Sequence, residues 1–120
     1  MSKLFSTEVT KMGPEAQRSL DKKMVILFGS YTPAELKNYC FNISGGTIEG
    51  TIEPGMKVVF DDQEYEITLV GSEAQNTLQS IGHCCFKFTG KTEDGMPGTI
   101  HLEDKPAPKI EVGTKIEIID

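Results

Sequence analysis

Short stretches of alternating apolar and polar residues, each ended by glycine, proline or aspartate, recur along this chain and limit the folds open to it. Leu4 to Met12, Met24 to Phe28, Lys57 to Asp61, Glu64 to Val70, His83 to Phe88, Thr99 to Leu102 and Lys115 to Ile119 all read as strands. Successive side chains of a strand point to opposite faces, so each stretch has one face to bury and one to expose. Gly13-Pro14, Gly45-Gly46, Pro54-Gly55, Asp61-Asp62, Asp94-Gly95 and Pro97-Gly98 stand between them, residues that enter tight turns at little steric cost. Two short helices are predicted. Thr32-Pro33-Ala34-Glu35 has an N-cap residue, proline at the first helical position and glutamate at the third. Ser72-Glu73-Ala74-Gln75 reads as a capping box, with Gly82 closing that helix in a left-handed conformation. Many short strands with one or two short helices predict an all-β architecture, a small closed or partly open β-barrel or a sandwich.

One heptad of sequence occurs twice. Ile52-Glu53-Pro54-Gly55-Met56-Lys57-Val58 returns as Ile110-Glu111-Val112-Gly113-Thr114-Lys115-Ile116, and Gly-Thr-Ile precedes each, at Gly46 to Ile48 and at Gly98 to Ile100. A barrel with an internal pseudo-twofold repeat produces such an echo, and so does independent reuse of good turn chemistry.

At 120 residues the chain is read as a single domain, residues 1–120, because domains commonly run to about 100–150 residues. Its cysteines, Cys40, Cys84 and Cys85, are odd in number and form no disulfide framework, which suits a reducing compartment. No apolar run is long enough for a signal peptide or a membrane span, so a cytoplasmic protein without direct membrane insertion is expected. The net charge is −6, with 18 acidic against 12 dispersed basic residues, which disfavours nucleic acid. An acidic surface suits a basic protein partner, and it also keeps a small domain soluble.

The stretch with the most chemistry is His83-Cys84-Cys85, where one of the two histidines meets two of the three cysteines. On a strand, Cys84, Phe86 and Phe88 share one face, the face of a core, and His83, Cys85 and Lys87 share the other. Zinc sites need three or four ligands, usually in paired short spacings, and no such pair exists. A thiol enzyme using Cys85 needs a lowered thiol pKa, for which His83 and Lys87 are the only same-face neighbours. No G-x-S-x-G elbow supports a serine triad. A structural strand with a semi-exposed histidine is the reading these residues favour, and neither metal nor cofactor is expected.

Several motifs taken together resemble one family. They are Tyr39-Cys40-Phe41, Gly50 with Pro54-Gly55, Val70-Gly71-Ser72 with Ala74, Asn76 and Leu78, then Gly82-His83, and Pro97-Gly98-Thr99-Ile100-His101. The family is the IIA component of the glucitol/sorbitol-specific phosphoenolpyruvate-dependent sugar phosphotransferase system, and the resemblance runs through nearly the whole chain. It implies a cytosolic, mostly β domain that relays a phosphoryl group from an HPr-like phosphocarrier to the IIB domain of a sugar permease, and so associates with a membrane protein. The relay would be nucleophilic: a neutral imidazole nitrogen takes the phosphoryl group, holds it as a phosphoramidate and surrenders it.

The resemblance also implies where the accepting histidine should lie, just after Tyr-Cys-Phe in a His-x-His arrangement leading into glycine. This chain reads Tyr39-Cys40-Phe41-Asn42-Ile43-Ser44-Gly45-Gly46, with Ile43 at the acceptor position and Gly45 at the second histidine. An isoleucine cannot accept a phosphoryl group. His83 and His101, both within matching motifs, are the remaining catalytic candidates, each as a substitute acceptor or in a supporting role. Cys40 is a third, weaker candidate as a phosphocysteine. The competing expectation is a non-catalytic paralogue that docks HPr or a IIB domain as a binding or regulatory module. A thiol or metal enzyme built on His83 and Cys85 is the last alternative.

Overall fold

The structure, a computed structural model, describes residues 3–29 and 32–120. The elements in chain order are β1 (Lys3–Met12), α1 (Ala16–Asp21), β2 (Met24–Phe28), β3 (Phe41–Ile43), β4 (Lys57–Phe60), β5 (Gln63–Val70), α2 (Ala74–Ile81), β6 (Cys84–Phe88), β7 (Thr99–Leu102) and β8 (Lys115–Ile119). The strands close into a barrel in the order β1-β3-β2-β6-β7-β5-β4-β8, with β8 returning to β1. Closure leaves no sheet edge to protect. Neighbours are antiparallel except β2–β3 and β6–β7, which run parallel.

Alternation fills the interior. Val25 and Leu27, Phe41 and Ile43, Val58 and Phe60, Cys84, Phe86 and Phe88, and Ile116 and Ile118 are all buried from their own strands. Phe60 meets Phe86 and Tyr65 edge to face, each with ring centroids 5.8 Å apart. The seven predicted strands are present, and the all-β barrel is the fold found.

Four local expectations differ from the structure. The helix expected from Thr32 is only a turn, in which Leu36 and Lys37 both donate their N–H to the Pro33 carbonyl. The Thr32 hydroxyl does not cap it, because it accepts a 2.7 Å hydrogen bond from the Asn42 amide. The second helix, α2, forms and ends at Gly82 with φ 73°, as expected, but without a capping box. Gln75 turns instead to the preceding loop, accepting from Ile52 N–H and donating to Gly50 O, each at 2.8 Å. The sequence reading did not include α1 or the three-residue strand β3.

The repeat is visible in the hydrogen bonding. Gly55 N–H donates to Ile67 O (2.9 Å) and Ile67 N–H to Met56 O (2.8 Å). Gly113 N–H donates to Val9 O (2.8 Å) and Val9 N–H to Thr114 O (2.9 Å), the same exchange in the other half. Both glycines are left-handed, with φ 96° and 97°, a conformation that glycine adopts without steric cost. β4 and β8 pair with Val59 opposite Glu117, equivalent positions of the two copies, so a pseudo-twofold axis passes between them. The match extends outward. Gly13 N–H donates to Cys40 O and Gly71 N–H to Thr99 O, while Ala16 with Leu20 and Ala74 with Leu78 bury equivalent helix faces. The Thr10 and Thr68 hydroxyls donate to the carbonyls of Asn42 and His101. Phe41 and Ile100 are therefore equivalent, and the doubled Gly-Thr-Ile is not part of the symmetry: Gly98 to Ile100 leads into β7, whereas Gly46 to Ile48 lies beyond β3.

Candidate functional site

Position 43 closes β3, where Ile43 sits opposite Val9 of β1 and is only 3% exposed. Its side chain belongs to the core, as alternation with buried Phe41 requires. Beyond it the chain turns away through Gly45, whose φ is 89°. The Ser44 hydroxyl lies 3.2 Å from that of Thr7 and accepts the Glu8 N–H at 3.3 Å. Two cavities adjoin Ile43. One of about 350 Å³ is polar, lined by Thr10, Lys11, Thr32, Lys37, Asn42 and Ser44. The other, of about 280 Å³, lies between the Ile43–Gly46 turn and the end of α2, from Leu78 to Gly82. Asn42 organises the first, donating to Gly29 O (2.9 Å) and to the Thr32 hydroxyl (2.7 Å). The local pattern marked Thr32 only as a helix cap and did not mark Asn42, because their pairing spans a loop.

His83 stands between the left-handed cap Gly82 and β6. Its Nδ1 lies 3.2 Å from the Leu27 carbonyl, which can only accept, so Nδ1 carries a proton and the neutral ring has its lone pair on Nε2. The ring stacks on Phe28, centroids 4.2 Å apart. Thr77 fixes the backbone, accepting from His83 N–H and donating its hydroxyl to His83 O at 2.8 Å. His83 is half-buried and Cys84 fully buried, the arrangement that alternation predicts. Ile43 faces the core and His83 the side opposite buried Cys84; the cavity between the Ile43–Gly46 turn and α2 is lined by Gly82 but not by His83.

His101 lies on β7 between Leu69 of β5 and Lys87 of β6. It is 3% exposed. Nδ1 is 2.7 Å from the Thr89 hydroxyl, and Nε2 is buried with no partner among the described residues. Burial, then the Lys91 and Lys87 charges, holds the imidazole below its ordinary pKa, so it is neutral at pH 7. Its partner on β6 is Lys87, four residues beyond His83.

The thiols offer little nucleophilicity. Burial pushes Cys40 up to about 11 and raises Cys84 further. Cys85 is also raised by burial, against smaller opposing effects of Lys87 and a hydrogen bond from Thr99. Cys40 Sγ donates to the Leu36 carbonyl at 2.9 Å, which ties it to packing. No group of three or more His, Cys, Asp or Glu is placed to hold a metal ion among the described residues. No helix among them is long and apolar enough to cross a membrane.

A barrel of this form is also the fold of a solved protein. The crystal structure of a PTS system IIA component from Enterococcus faecalis V583 matches with a TM-score of 0.82 and 30% identity, covering 96% of this chain and 99% of that one. The class is thus the IIA component of a phosphotransferase system. Residues 4–117 match the family described as the PTS system glucitol/sorbitol-specific IIA component. Relatives from Shigella flexneri and Escherichia coli K12, each named as a PTS system glucitol/sorbitol-specific EIIA component, are 34% identical over 102 residues, covering 85% of this chain and 83% of theirs. The chain belongs to the glucitol/sorbitol-specific IIA family.

Proposed function

We propose that this chain serves a glucitol/sorbitol-type phosphotransferase system as a docking module, binding an HPr-like phosphocarrier or a IIB domain without itself carrying the phosphoryl group. The observation that supports this most is Ile43, an alkyl side chain in the core at the position where the resemblance implies the acceptor. Phosphoryl transfer depends on a positioned lone pair and on donors gathered around the equatorial oxygens. Here the ammonium, hydroxyl and amide groups of Lys11, Lys37, Thr10, Thr32 and Asn42 line a cavity at position 43, but no imidazole lines it. That cavity keeps the chemistry of an oxyanion pocket and lacks the nucleophile.

One observation favours a second reading, a working relay on His83. The Leu27 carbonyl holds its Nδ1–H and leaves the Nε2 lone pair free on a half-buried ring, as a nucleophilic imidazole requires. The polar cavity is not lined by His83, so a phosphoryl group there would lack those donors.

Docking is tested by titrating isotope-labelled protein with unphosphorylated HPr and, separately, with a IIB domain. Amide shifts should cluster at Gly29, Ile43 to Gly46 and the end of α2. Absence of any shift with either partner would remove the docking reading.

A further inference from the structure

The loop from Gly90 to Gly98 lies over β7 and hides the His101 imidazole. Hydrogen bonds hold it at both ends: Gly90 N–H to Leu102 O (2.8 Å), Lys91 N–H to the Thr89 hydroxyl (3.2 Å), Glu73 N–H to Pro97 O (2.8 Å) and Thr99 N–H to Met96 O (3.1 Å). Residues 91–97 between these ties are exposed. The loop reaches the sheet through Gly95. A Cβ there would stand 2.6 Å from Leu69 Cδ2 and 3.1 Å from both Cδ2 and Nε2 of His101, so any side chain would force Leu69, the His101 ring or the loop to move. Beneath it Nε2 is buried without a partner among the described residues.

A neutral imidazole tolerates that confinement better than a charged one. Adding a second proton places a cation in a desolvated site and leaves one N–H facing Leu69 and Gly95 with no acceptor. The charged groups around it deepen the penalty. Lys87 faces it from β6 and Lys91 from the loop, β5 offers only Leu69, and the loop's Glu93 and Asp94 are exposed. Lys91 reaches back to the Asp94 carbonyl, which keeps its charge within the loop.

We propose that the loop Gly90–Gly98 is a pH-sensitive cover, closed over neutral His101 and released when the imidazole takes up a second proton. The proposal is independent of docking at Ile43. The imidazole is held below its ordinary value of 6.5 while covered and moves up toward that value when uncovered, Lys87 staying beside it on β6, so the open form binds the proton more tightly. The closed form is therefore complete above the uncovered value and weakens as the pH falls below it.

The test follows His101 ring resonances and loop amides in one pH titration. In the native sequence the ring should titrate below 6.5, and the amides of residues 91–97 should change with the same midpoint. Gly95→Leu, too large to be absorbed by a turn of Leu69, lifts the loop and should move the His101 midpoint up toward 6.5. His101→Gln should abolish the loop transition. Loop amides that stay unchanged while His101 titrates would overturn the proposal, and so would an unshifted midpoint in Gly95→Leu. If His101→Gln fails to fold, the Gly95→Leu midpoint still decides.

Discussion

Asn42 and His101 occupy equivalent points in the two halves of the barrel, each with its carbonyl held by a threonine hydroxyl of the neighbouring strand. Each side chain also reaches a threonine outside its own strand at 2.7 Å, Thr32 for Asn42 and Thr89 for His101. Past that point they part. Asn42 borders a polar cavity of about 350 Å³ beside two lysines, whereas His101 is sealed under Gly95 with Nε2 unpartnered. The same strand geometry borders an open polar cavity without an imidazole in one half and holds an imidazole without a cavity in the other. The covering loop, more than the strand, decides what each position can do.

That comparison is strained hardest in the core. Phe41→Ala and Ile100→Ala empty equivalent inward positions, and each should lower unfolding free energy in urea by about 3–4 kcal/mol. Tolerance of one and not the other would break the equivalence of the halves. Next come the glycines at the strand-to-helix corners. A Cβ on Gly13 would meet the Asn38 carbonyl at 2.4 Å, and one on Gly71 the Met96 and Pro97 carbonyls at 2.3 Å. Gly13→Ala and Gly71→Ala should each cost about 2–3 kcal/mol in the same assay. A smaller effect sharpens where the halves differ. Gln75 clamps the loop at Gly50 and Ile52, while Gln17, its equivalent on α1, bonds only Asp21 on its own helix. Gln75→Ala should cost about 1–2 kcal/mol and Gln17→Ala less than about 0.5 kcal/mol.

Strand positions were legible because alternation is a local signal, and so was the left-handed end of α2 at Gly82. The turn repeat was legible for the same reason, since Gly55 and Gly113 each sit in a fixed local geometry. β3 was not, because three residues carry no period and its pairing with β1 and β2 is long-range. The two capping patterns failed through competition: Thr32 is engaged by Asn42 and Gln75 by the Gly50 loop, partners remote in sequence. At the site, the face assignments of His83 and Cys84 followed from alternation. The burial of His101 did not, since it comes from the approach of Gly95, six residues away in a loop whose course alternation does not reveal.

The absence of a nucleophile at position 43 is tested most directly by phosphoryl labelling. The protein is incubated with phosphoenolpyruvate, enzyme I and HPr, and its intact mass is read before and after mild acid. The unmodified chain should gain little or no acid-labile, base-stable phosphoryl group, because Ile43 offers no lone pair and the donors beside it face no imidazole. Ile43→His, with Gly45→His as a hydrogen-bond partner, should gain some labelling from the surrounding lysine, hydroxyl and amide groups. Efficient labelling of the unmodified chain, lost in His83→Ala or in His101→Ala, would contradict the account and assign the phosphoryl group to that histidine.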